Sequence, residues 1–169
     1  MCATPYGGWV HRAALVNIYS VENYQPRESV GYLMTRVKVE ILAALDRALA
    51  ANPFLSSLGV TAAQFVVVVR LVGAGCKKSA SDLCKELSYD AGAMTRMIDR
   101  LESKGLVRRA RCVKDRRLIY LEVTEAGQAA YPKMIEVSVA VLNRFLRGFT
   151  PEEAQQLKVF LSRMLENAG

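Results

Sequence analysis

The sequence predicts a mainly α (α+β) fold in which one β-hairpin follows a pair of short helices. Three observations carry this. Apolar residues step by three and four over most of the 169 positions, the period of a helix with one buried face. The clearest such stretch, Ala91–Lys104, stops at Gly105 and gives way to aliphatic and β-branched segments around a charged turn. Basic charge concentrates in the same place. Between Cys76 and Tyr120 stand twelve Lys and Arg against six Asp and Glu, nearly all of the net +7 of the whole chain.

Residues 1–27 carry Pro5, Gly7, Gly8 and Pro26 and no long repeat, and read as an arm with a short helix near Trp9–Val16. From Ser29 the positions Val30, Leu33, Val37, Ile41, Leu45 and Ala48 form one stripe of an amphipathic helix that ends before Pro53. Ser56 to Val60 reads as a connection. Thr61 caps the next helix, which runs to Val72 and is apolar nearly all round, as a central helix is. Its four consecutive valines favour a strand locally, but the Thr cap and the following Gly73 and Gly75 frame a helix.

Ala80, Leu83, Cys84 and Leu87 define a short helix, and Ser88-Tyr89-Asp90 supplies a break and a new N-cap. In Ala91–Lys104 the residues Met94, Met97, Ile98 and Leu101 share one side. Gly92, Arg96, Asp99 and Ser103 lie opposite, flanked by Thr95 and Arg100. Leu106–Cys112 and Leu118–Val123 then read as a hairpin with a charged tip. A short helix, a tight turn, a second helix and a hairpin make a winged helix-turn-helix. Thr124 caps a long helix that closes at Gly148, and Pro132 inside it is expected to kink it or mark a late start. Thr150-Pro151-Glu152-Glu153 starts the last helix with a cap, a first-turn proline and a capping-box glutamate. That helix is expected to bury Leu157, Leu161 and Met164.

Composition excludes several classes. At 51% hydrophobic residues the chain is not disordered. Its longest apolar run, Phe65–Val69, is far short of a membrane span. No signal-peptide core is visible near the start, so the default is a soluble, cytoplasmic protein. Cys2, Cys76, Cys84 and Cys112 contain no C-x-x-C pair, and with one histidine, His11, no zinc-ligand set or catalytic constellation assembles. Neither a cofactor nor an enzyme activity is expected.

The chemistry points to double-stranded DNA. A helix with small residues in its N-terminal half lets the backbone approach a major groove, where hydroxyls and guanidiniums meet phosphates and base edges. Thr95, Arg96 and Arg100 fit those roles. At the hairpin tip, Arg117 on a thin loop suits the narrow minor groove. Asp115 can orient it by charge-assisted hydrogen bonds, beside Arg116. The plain alternative for both stretches is a solvated basic surface.

These residues resemble the multiple antibiotic resistance regulator (MarR) family of bacterial transcription factors. The likeness covers about residues 30–165. It rests on Ala80-Ser81-Asp82-Leu83-Cys84-Lys85-Glu86-Leu87, on Asp90 through Val107, on Asp115-Arg116-Arg117, and on Leu121-Glu122-Val123-Thr124-Glu125-Ala126-Gly127. The resemblance implies a homodimer joined by its terminal helices and a pseudo-palindromic operator, usually bound as a repressor. It places Thr95, Arg96 and Arg100 on the recognition helix and makes Arg117 the minor-groove arginine with Asp115 as its partner. The implied layout is an arm over 1–27, dimerisation helices over 28–55 and 125–169, and a DNA-binding region over 56–124.

A dimer has its own warrant, since the first and last helices carry apolar stripes that a small winged lobe cannot cover, and two-fold pairing doubles the contact with DNA. The resemblance also implies a small aromatic acid or phenolic effector. Tyr32 and Arg36, one turn apart, can present a ring and a cation to it, and Arg109 at the wing's base can add a second cation. A stacked tyrosine and surface ion pairs are the plain reading of the same residues. Oxidant sensing is a rival trigger, with Cys2 and Cys112 as the accessible thiols. A winged-helix module for an acidic protein partner is the alternative from another class. The exposed side of Ala91–Lys104 shows no aromatic cluster to anchor such a partner.

Overall fold

The computed structural model describes residues 16–73, 77–111 and 118–168. Its element order is α1 (Val30–Ala51), α2 (Pro53–Leu58), α3 (Ala62–Val72), α4 (Ala80–Leu87), α5 (Ala91–Ser103), β1 (Val107–Arg111), β2 (Ile119–Val123), α6 (Glu125–Phe145) and α7 (Pro151–Glu166). The chain divides into two compact units, one up to residue 37 and one from 38 onward. The segment near Trp9, the thiols of Cys2 and Cys112, and the tip residues Asp115, Arg116 and Arg117 lie outside the described residues.

In the first unit the N-terminus of α1 is capped by side chains. Ser29 Oγ donates to the Pro26 carbonyl at 2.9 Å and accepts from Tyr32 N at 3.3 Å. Tyr19 Oη accepts from Val30 N at 3.0 Å, with its ring set edge-on to Tyr24. These contacts satisfy N–H groups that a helix start leaves without partners.

The second unit holds the core. Leu49, Leu55, Val67, Val68, Leu83, Met94, Ile98, Leu101, Leu106, Val107 and Met134 are essentially inaccessible to water. The caps legible in the sequence form. Thr61 with Gln64 and Thr150 with Glu153 make reciprocal capping boxes, and Asp90 and Thr124 cap α5 and α6. Ser79 with Asp82 makes a further capping box that the sequence reading did not single out. The valine run of α3 stays helical because the Thr61 box fixes its start and two of its valines fill the core. Asp46 Oδ1, from α1, also accepts from Ala62 N at 2.7 Å.

The hairpin pairs antiparallel with Val107 opposite Val123 and Arg111 opposite Ile119. Leu121 N donates to the Lys78 carbonyl at 2.8 Å, so the segment before α4 joins the edge of β2. Among the described residues no helix is long and apolar enough to cross a membrane.

Three expectations need correction. The region read as a connection from Ser56 is largely helical: α2 opens with Asn52 as cap and Pro53 at its first position, and turns out at Gly59 with φ of 58°. The proline that ends α1 therefore also begins α2, as its fixed φ allows. The last helix buries nothing. Leu157 and Met164 are exposed and Leu161 is half-exposed, because no element among the described residues covers that face. Pro132 does not delay the long helix, which is helical from Glu125 on.

Candidate nucleic-acid interface

Helix α5 is held from three sides. Its apolar side, Met94, Ile98 and Leu101, is buried in the core with Leu83 of α4. At its N-terminus Asp90 Oδ1 accepts from Ala93 N at 2.8 Å. At its C-terminus Lys104 Nζ donates to the Gly59 carbonyl and to Gln64 Oε1, the latter at 2.8 Å. Partial burial, with Arg100 nearby, pushes the Lys104 ammonium below its ordinary range. Gly105 makes the turn into β1 at φ of 66°, a conformation that favours glycine.

The opposite side of α5 faces water. Thr95, Arg96 and Arg100 are all exposed there. The Thr95 hydroxyl donates to the Ala91 carbonyl at 2.8 Å. A methyl group added to Gly92 would sit 3.4 Å from Arg96 Nη1, so Arg96 runs back along the helix over that glycine. Among the described residues neither Arg96 nor Arg100 has a carboxylate partner. Two guanidiniums on one turn of a rigid helix, without anions of their own, suit a polyanion.

The strands behave differently. Arg108 forks onto Glu122 Oε2 through Nε at 3.0 Å and Nη2 at 2.8 Å, and Lys77 Nζ reaches Glu122 Oε1 at 3.1 Å. Lys77 first and Arg108 second hold the Glu122 carboxyl below its usual range. Arg109 faces α5. Its backbone N–H donates to Glu102 Oε1 at 3.0 Å, Nη1 bonds Glu102 Oε2, and Nη2 bonds Asp99 Oδ1 at 2.6 Å. The Asp99 bond, assisted by Glu102, raises the Arg109 pKa against the cost of burial. The guanidinium considered for an anionic ligand is thus shared between two carboxylates.

Tyr32 and Arg36 are in the first unit, where Arg36 Nη1 donates to Tyr32 Oη at 3.3 Å. Cys84 is half-buried against the core. Sequence reasoning passed over the Asp99–Glu102 pair and the Lys104–Gln64 bond. Two acids three apart on a basic helix were the available signal for the first.

Comparison with known proteins gives a consistent result. A sequence model of the MarR family matches residues 60–119. The multiple antibiotic resistance protein MarR of Escherichia coli is 36% identical over 115 residues, covering 68% of this chain and 79% of that protein. A MarR variant from Escherichia coli solved with operator DNA superposes with a TM-score of 0.68 at 31% identity, covering 80% of this chain and 92% of that one. BpsR of Bordetella bronchiseptica, whose DNA binding is regulated by 6-hydroxynicotinic acid, superposes with a TM-score of 0.70 at 26% identity, over 83% of this chain and 96% of that one.

Proposed function

The chain belongs to the MarR family of transcription regulators, and from that premise we propose that it is a dimeric repressor released from a pseudo-palindromic operator by a small aromatic acid or phenolic compound. As a member of that family it is a DNA-binding transcription regulator, not an enzyme. The observation that carries the finer reading is the exposed face of α5, where Arg96 and Arg100 have no carboxylate partner among the described residues. In this reading Thr95, Arg96 and Arg100 enter the major groove. Arg117, oriented by Asp115 and flanked by Arg116, enters the adjoining minor groove.

Residues 56–124 form the DNA-binding region, and 28–55 with 125–169 pair two copies. The uncovered apolar residues support the pairing: Val139, Leu142, Phe149, Leu157, Phe160 and Met164 are exposed in the single chain, and a stripe of that extent marks an interaction surface. Two-fold pairing presents two recognition helices about one helical turn of DNA apart. The protein acts in the cytoplasm, where the duplex is.

The test is a titration on the duplex upstream of the protein's own gene at physiological salt. Arg96→Ala or Arg100→Ala weakens binding by roughly 1–3 kcal/mol where the side chain reads a base, and by a smaller, sequence-independent amount where it meets phosphate. Arg117→Ala weakens binding while leaving the dimer intact. Unchanged affinity in all three variants refutes the interface. For the effector, Tyr32 and Arg36 offer a ring and a cation, and 6-hydroxynicotinic acid is the first probe. Release of the duplex by that acid, lost in Arg36→Ala, supports the ligand reading. Release that persists in Arg36→Ala moves the ligand elsewhere.

A further inference from the structure

We propose that Arg109 is a positioning residue that sets the angle between the recognition helix and the wing. The proposal rests on the reading that α5 and the hairpin bind a duplex, and names how the two are held in register with each other. Arg109 sits in the middle of β1, opposite Leu121. Its backbone N–H and both ends of its guanidinium are anchored on α5, at Glu102 and Asp99. A planar fork that bridges two carboxylates fixes direction as well as distance, which a lysine ammonium does not.

The geometry gives this clamp a job. The link from α5 to β1 is short and turns through Gly105. It sets where the strand starts, while the bond from Leu121 N to the Lys78 carbonyl holds the hairpin on its β2 side. On the β1 side, Arg109 is where the strand meets α5 through charge-assisted bonds, and these fix the tilt of the hairpin towards that helix. Any tilt at the base grows with distance along the strand, so the effect falls on the far end of the hairpin.

The clamp also has an electrostatic side. Asp99 lies on the water-facing side of α5, about half exposed, three residues from Glu102. Unpaired, these two acids would repel each other and a phosphate backbone. If Arg109 were a direct phosphate contact, removing its two acids would free a cation and strengthen DNA binding. A positioning role gives the reverse sign.

The experiment measures affinity for the duplex upstream of the protein's own gene, with the thermal midpoint recorded for each variant. Arg109→Gln is expected to weaken binding about tenfold with the fold intact, and Arg109→Lys to recover only part of it. Asp99→Ala combined with Glu102→Ala is expected to weaken binding too, although it removes two negative charges. It tests the same clamp from the helix side should Arg109→Gln fail to fold. The decisive arm combines Arg109→Gln with Arg117→Ala. The loss from Arg109→Gln should nearly vanish in that background, because a misdirected wing without its arginine has little left to lose. Independent, multiplying losses overturn the proposal, as does stronger binding by the double-alanine variant. An Arg117→Ala variant that binds like the parent overturns the wing reading itself, and the clamp's function with it.

Discussion

Helix α5 and helix α7 both carry an apolar stripe and a charged side. In α5 the residues Met94, Ile98 and Leu101 are 0–1% exposed, and what it shows to water is arginine, threonine and small residues. In α7 no residue is buried, and Leu157, Phe160 and Met164 are each about 40% exposed. The first helix is complete within one chain, and its exposed side is polar. The second has an apolar side still in water, which is the side a second copy would cover. Burial by the same chain, rather than amphipathic pattern, separates the proposed recognition surface from the proposed association surface.

The largest expected effect attacks that contrast at α7. Leu157→Asp with Phe160→Asp should halve the solution mass measured by light scattering and lower operator affinity by about 100-fold or more, since the second half-site is no longer tethered. A variant that stays dimeric would place the association surface elsewhere. Next comes the interior of the lobe: Leu101→Ala should cost about 2–5 kcal/mol in urea unfolding. Leu165→Ala, at a site 74% exposed, should change the unfolding of the isolated subunit by less than about 0.5 kcal/mol. Equal costs at the two leucines would erase the distinction between the helices.

Gly127→Ala should cost about 1–3 kcal/mol, because the added carbon would lie 2.3 Å from the Leu106 carbonyl oxygen and 2.6 Å from Val123 Cγ1. A small effect is expected at the start of α4. The Ser79 backbone N–H, and then its hydroxyl, pull the Asp82 carboxyl below its usual 3.8. A carboxyl depressed on folding stabilises the native state above its unfolded value and loses that contribution as pH falls through the depressed one. Asp82→Asn should therefore be less stable near pH 7 by about 0.5 kcal/mol, reduced by water screening at so exposed a site. The difference from the parent should close as pH falls below 3.8 and through the depressed value in thermal melts.

Much of this was legible in the residues. Caps are local, so Thr61, Asp90, Thr124 and Thr150 announce helix starts that form where expected. The period in Ala91–Lys104 names the buried and exposed sides of α5 correctly because that helix packs within its own chain. What was hidden is tertiary. Pro53 looked like a stop and also proved a start. The stripe of α7 could not say whether its cover came from the same chain. Arg109 looked like a free cation because its partners are 7 and 10 positions away and are brought close only by the turn at Gly105. The fold was therefore readable further than the site, whose electrostatics depend on which acids tertiary packing sets beside which bases.

The missing side chain at position 127 has a mechanical consequence. The first turn of α6 abuts the Leu106 carbonyl and Val123 without room for a methyl group, and Thr124 ties the same junction through its hydroxyl to the Gly105 carbonyl. A joint with no slack transmits rather than absorbs. Helix α6 has 21 residues, about 31 Å at 1.5 Å per residue. A swing of about five degrees at this junction would carry its far end through roughly 3 Å, so a nudge applied there would arrive at the hairpin's root as torque.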